Sequence, residues 1–84
     1  METFYVYILY SSARDRYYVG HTHDVEQRLL QHNAGRTPST KPGRPWILCY
    51  TEEFNEKSAA AKREVEIKRM KSRLYVETLI ESTR

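Results

Sequence analysis

Two short tyrosine-rich segments near the start of the chain restrict its architecture more than anything that follows. Residues 4–10, Phe-Tyr-Val-Tyr-Ile-Leu-Tyr, are all aromatic, β-branched or aliphatic, and Tyr17-Tyr18-Val19 repeats that composition before Gly20. Such runs favour extended backbone. The segment between them, Ser11 to Arg16, is too short for a crossover helix but long enough to turn a hairpin. Side chains alternate along a strand, so Tyr5, Tyr7 and Leu9 share one face while Phe4, Val6, Ile8 and Tyr10 share the other. On the second strand Tyr18 and Gly20 fall together, opposite Tyr17 and Val19. Tyrosine joins a large apolar body to a hydroxyl that seeks a partner when buried. A two-stranded ribbon is marginal alone, so the remaining chain has to cover it.

At 84 residues the sequence is expected to form one domain over residues 1–84. The single Cys49 excludes an intrachain disulfide, and nothing resembles a signal peptide or a spanning apolar run, so a soluble, cytoplasmic protein without a membrane partner is expected. The net charge of +3 is modest, but its distribution is uneven. From Arg28 to Thr51 there are four basic residues, Arg28, Arg36, Lys41 and Arg44, and no acid. Local positive charge of this kind attracts polyanions; the plainer reading is a solubilising surface.

After the hairpin, Asp24-Val25-Glu26-Gln27 reads as a capping box opening a helix that runs to about Asn33, with Gly35 as a left-handed stop. Val25, Leu29 and His32 lie on one stripe, and Arg28 shares it. An arginine there either extends to water or meets an anion. Residues 36–45, with three prolines, a glycine and small hydroxyls, read as a loop. Its Arg36, Lys41 and Arg44 suit contact with phosphates; alternatively it is only a mobile connection. Trp46 to Thr51 reads as a third, largely buried strand. Cys49 with His21, His23 and His32 matches no zinc spacing.

A second helix is expected to open at Phe54-Asn55 and run to about Met70. Ala60, Glu64 and Ile67 are spaced to lie on its inward stripe, while Lys62, Arg63, Glu66 and Arg69 point elsewhere. A carboxylate on an alanine-lined stripe is costly unless it is paired or binds a cation. Glu64 therefore either holds a metal or forms a buried pair with Arg28. Ser72 caps a short last helix with Tyr75, Val76, Leu79 and Ile80 facing inward.

Tyr5-Val6-Tyr7 and Tyr18-Val19-Gly20 resemble the paired Gly-Ile-Tyr and Tyr-Ile-Gly segments of the GIY-YIG nucleases, with Tyr5 where the family has Gly. The resemblance extends through Gln31-His32-Asn33-Ala34-Gly35 and Lys62-Arg63-Glu64-Val65-Glu66-Ile67-Lys68, and is strongest to the small stand-alone members. It implies an α+β fold, a three-stranded antiparallel sheet flanked by helices in the order β-β-α-β-α-α. It also implies a nuclease that hydrolyses phosphodiester bonds in DNA, or RNA, with one divalent cation, Mg²⁺ or Mn²⁺. The family's catalytic positions fall on Tyr7, Tyr18, Arg28, His32 and Glu64, with Glu64 the metal-binding residue. In that role Tyr7 orients or deprotonates water, Arg28 clamps phosphate, and His32 assists proton transfer or contacts phosphate. A domain that keeps this fold only to bind nucleic acid is the alternative.

Overall fold

A computed structural model describes residues 2–82. The chain runs β1 (Phe4–Ser11), β2 (Arg16–Thr22), α1 (Val25–Asn33), a short 3-10 turn (Lys41–Gly43), β3 (Trp46–Phe54), α2 (Lys57–Met70) and α3 (Arg73–Glu81). The three strands form one antiparallel sheet in the order β2-β1-β3, so the fold is the expected α+β arrangement.

The apolar run of β1 is explained by its central place, because both of its faces are covered. Val6 and Ile8 face one core with Val19, Ala60, Ile67, Val76 and Ile80, built from α2 and α3. Tyr7 and Leu9 face the other way and pack with Trp46, Tyr18, Val25 and Leu29, which brings α1 and the start of β3 onto the second face. The two-residue alternation thus sends Tyr7 and Tyr18 together to the α1 side. Ser11 pairs with Arg16, closing the hairpin through a turn in which Asp15 takes a left-handed conformation at φ 51°.

The ends of the helices follow local chemistry. The Asp24 carboxylate accepts from the Gln27 amide at 3.0 Å, and Gly35 takes φ 77° after α1. Lys71, also left-handed, ends α2, and the Ser72 hydroxyl accepts from the Tyr75 amide at 3.1 Å to start α3. No helix among the described residues is long and apolar enough to cross a membrane.

The structure departs from three expectations. The third strand is not largely buried: Trp46 is, but Ile47 is 57% and Leu48 38% exposed. β3 lies at the sheet edge, and Cys49 is an extra residue between the pairs Leu9↔Leu48 and Ile8↔Tyr50, a bulge that re-aims the strand. The strand also runs on to Phe54, which pairs with Phe4, so α2 starts at Lys57 and not at Phe54-Asn55. Finally, Arg63 does not point away from the fold. Its guanidinium donates to Glu52 Oε1 at 3.0 Å and to the Tyr75 hydroxyl at 3.1 Å, tying β3, α2 and α3 together.

Candidate active site

The site grows from the register of β1 on β2. Tyr7 lies opposite Gly20, and its ring crosses the glycine so closely that a methyl group there would sit 2.5 Å from the phenol oxygen. The absence of a side chain at position 20 is what lets Tyr7 lie flat against the sheet at 2% exposure. From there its hydroxyl is 3.1 Å from His32 Nε2 on α1.

His32 is buried, and its Nδ1 is 2.8 Å from the Thr40 hydroxyl, which in turn donates to the Thr37 carbonyl at 3.3 Å. With its proton committed to that carbonyl, Thr40 Oγ1 acts as acceptor, so His32 carries hydrogen on Nδ1. Nε2 is then left to accept from Tyr7. The result is a one-way chain, Tyr7 to His32 to Thr40 to the Thr37 carbonyl. Tyr18 closes over it, edge-on to His32 at 4.9 Å and to Trp46 at 6.2 Å, and 6.3 Å from the Tyr7 ring. Burial holds the His32 pKa below its ordinary value, with Arg28 adding to the effect. Burial also pushes the Tyr7 phenol well above its usual range; Tyr18 and Glu64 push the same way, while Arg28 opposes them.

Arg28 and Glu64 therefore both act on the Tyr7 hydroxyl, from α1 and α2. Arg28 is exposed, and its guanidinium makes a long contact, 3.5 Å, with Gln31 Oε1. Glu64 stands at the rim rather than deep in the core, with its side chain 17% exposed, while Ala60 and Ile67 of its stripe are buried. Nor is its partner Arg28. Its Oε1 meets His21 Nδ1 at 2.6 Å, and its Oε2 accepts from Lys68 Nζ at 2.6 Å. Burial works to raise the Glu64 carboxyl, but the bonds to Lys68 and His21 outweigh it and hold the pKa below the usual carboxylate value. Beside the site a cavity of about 330 Å³ is lined by His21, Asp24, Gln27, Arg28 and Lys57 among others.

The residues 36–45 loop is anchored, not a loose connection. Thr40 is buried, its carbonyl accepts from the Trp46 indole at 2.8 Å, and Asn33 bonds both the amide and the carbonyl of Trp46. Arg36, Lys41 and Arg44 all reach solvent, and Lys41 and Arg44 gather over Gly35 beside Arg36. They crowd the C-terminal end of α1, whose partial negative charge they offset. Tyr5 lines a separate apolar hollow with Val25, Leu29 and Leu48, apart from the rings around Tyr7.

Lys68 and Thr40 did not stand out in the sequence, and His21 was weighed there only as a zinc ligand. Lys68 was accessible to reasoning, being four residues beyond Glu64 on one helix. Thr40 had no local signal, because its role depends on a fold-back of the loop onto α1.

Comparison with known proteins identifies the family. A model of the GIY-YIG catalytic domain matches residues 3–76. A UPF0213 protein of Natronomonas pharaonis is 46% identical over 77 residues, covering 90% of this chain and 88% of that protein. One from Staphylococcus haemolyticus is 45% identical over 69 residues, covering 81% and 83%. The solution NMR structure of a UPF0213 protein from Bacillus halodurans shares 35% identity at a TM-score of 0.59, covering 94% of this chain and 83% of that one. The chain therefore belongs to the GIY-YIG family, a nuclease superfamily, among its small UPF0213 members.

Proposed function

We propose that this protein is a divalent-metal-dependent endonuclease that hydrolyses phosphodiester bonds, in DNA ahead of RNA. The observation that carries the reading is the buried hydrogen-bonded chain linking the Tyr7 hydroxyl, His32 and Thr40. A tyrosine raised by burial is a poor base alone, since even its ordinary pKa is about 10. Coupled to a neutral imidazole it can act: Tyr7 accepts a proton from the attacking water as its own passes to His32 Nε2. The imidazolium so formed keeps its Nδ1 bond to Thr40. Arg28, exposed beside Tyr7, is suited to hold the scissile phosphate with its planar donors and to favour the phenolate as it forms. Tyr18 packs the imidazole in place and lies at hand to orient the water.

Among the described residues no three His, Cys, Asp or Glu side chains form a metal cluster. The donor set nonetheless suits Mg²⁺ or Mn²⁺ in a minimal way, because such ions accept one carboxylate and keep water and phosphate oxygens for the rest. Glu64 is ionised and at the rim, where it would hold the ion in place of its bonds to Lys68 and His21. When bound, the ion supplies positive charge to the leaving oxygen. Arg36, Lys41 and Arg44 would draw in the nucleic acid backbone.

The same pairing supports a second reading. With both Glu64 oxygens already bonded, the domain would bind nucleic acid without cutting it. Glu64→Gln separates the two. Its bridges are solvent-screened, so the expected cost is about 1–2 kcal/mol, short of the roughly 3–5 kcal/mol of breaking a fully buried pair. Cleavage with Mg²⁺ or Mn²⁺ should fall by about a hundredfold or more while nucleic-acid affinity survives. A wild type that cuts no labelled DNA or RNA form with either ion would leave only the binding module.

A further inference from the structure

We propose that a groove between the β1–β2 turn and the residues 36–45 loop is a second phosphate site. It would hold the substrate strand about four nucleotides from Tyr7; this rests on nucleic acid being the substrate.

The groove encloses about 140 Å³ and is lined by Arg14, Arg16, Ser39, Pro42, Gly43 and Trp46. It thus brings two arginines and a serine together with a tryptophan, and the forked donors of arginine match phosphate oxygens. Among the described residues neither Arg14 nor Arg16 enters an ion pair. The acid between them is engaged elsewhere: Asp15 Oδ1 accepts from Arg73 Nη2 at 2.7 Å and from the Tyr10 hydroxyl at 2.7 Å. The carboxylate that could neutralise the pair is therefore tied to α3.

Position relative to the centre follows from strand geometry. Arg16 shares the face of β2 that carries Tyr18 and Gly20. Tyr7 lies opposite Gly20, four residues from Arg16 along β2; four residues advance about 13.6 Å, the axial rise of about four nucleotides at roughly 3.4 Å each. Trp46 bridges the interval, with its ring 6.2 Å from Tyr18 and its indole N–H fixed on the Thr40 carbonyl. A strand with its scissile phosphate at Arg28 and Tyr7 runs over Tyr18 and Trp46 to Arg14 and Arg16.

The test is binding of a labelled single-stranded oligonucleotide across a salt series, without divalent metal. In the Arg14→Ala/Arg16→Ala double variant the slope of log affinity against log salt should shrink by about 0.7, the value for one phosphate no longer neutralised on a single strand. Affinity at low salt should fall about tenfold. A control pair, Lys62→Ala/Arg69→Ala, removes the same charge from the exposed face of α2 and should leave the slope unchanged. The Trp46 indole N–H resonance reports on the groove directly. Oligonucleotide should shift it in the wild type and not in the Arg14/Arg16 variant, and inorganic phosphate at equal phosphate concentration should leave it in place. Failure of the wild type to bind at low salt would refute the nucleic-acid reading itself. Binding with the same slope in the double variant, an equal loss in the control pair, or an equal indole shift with inorganic phosphate would overturn the groove alone.

Discussion

Replacing Gly20 by alanine isolates the contact on which the site is built. Position 20 is extended backbone, so without a clash the change should stabilise the protein by about 0.4–1 kcal/mol through the unfolded chain. The clash is severe, however: the new methyl would lie 2.5 Å from the Tyr7 hydroxyl oxygen and 2.6 Å from the ring carbon bearing it. Ordinary contact begins near 3.4 Å, so the phenol has to tilt by about 1 Å. Val6 and Ile8 on either side are fully buried, so the backbone of β1 cannot follow. Overpacking of this kind costs roughly 1–3 kcal/mol. Drawing the hydroxyl off the 3.1 Å bond to His32 adds about 1 kcal/mol. The net expectation is a loss of about 1–3.6 kcal/mol, or about 4–29 °C in Tm for a domain of this size. Thermal and urea melts of Gly20→Ala, alone and with Tyr7→Leu, measure it. Leucine stops short of the glycine, so in that background the same substitution should become neutral or mildly stabilising. Gly20→Ala within about 0.5 kcal/mol of the wild type, or an equal loss in both backgrounds, would refute the assignment of Gly20 to Tyr7.

Two further outcomes test the proton chain. Thr40→Val keeps the volume but leaves the Nδ1 hydrogen of buried His32 without its acceptor; melts should show a loss of about 1–3 kcal/mol, and cleavage should fall with little change in binding. His32 is held below its ordinary pKa, so the unfolded chain takes up a proton as pH falls below about 6.5 while the folded state does not. Stability should therefore decline from that point downward and level off below the folded value; His32→Gln should flatten the difference between pH 7 and pH 5 in urea melts.

Much of the fold was legible because the signals were local. The Tyr-rich runs, the Asp24 and Ser72 caps and the glycine at 35 each act within a few residues, and each is where the pattern placed it. What escaped depended on position in the sheet. Strand order decides whether a run such as Trp-Ile-Leu-Cys-Tyr is covered on both sides or lies at an edge, and composition does not carry strand order. For the same reason Arg63, exposed by helical spacing alone, found Glu52 only because β3 runs three residues beyond Thr51.

The site shows the same division more sharply. Alternation grouped Tyr7 with Leu9 and Tyr18 with Gly20, and helical spacing put His32 and Arg28 on one stripe; the register of β1 on β2 and the packing of α1 brought these sets together. The unexpected part is the partner of Glu64. A carboxylate on an alanine-lined stripe suggested burial, and burial suggested the strongest cation available, Arg28. In the fold α2 lies along β2, so the side chain reaches the strand's end rather than the sheet's centre, where His21 and Lys68 are nearer. That placement leaves Arg28 without a carboxylate among the described residues. An arginine without a carboxylate partner beside a buried phenol has a positive charge to offer an incoming anion, which an internal Arg28–Glu64 pair would have cancelled.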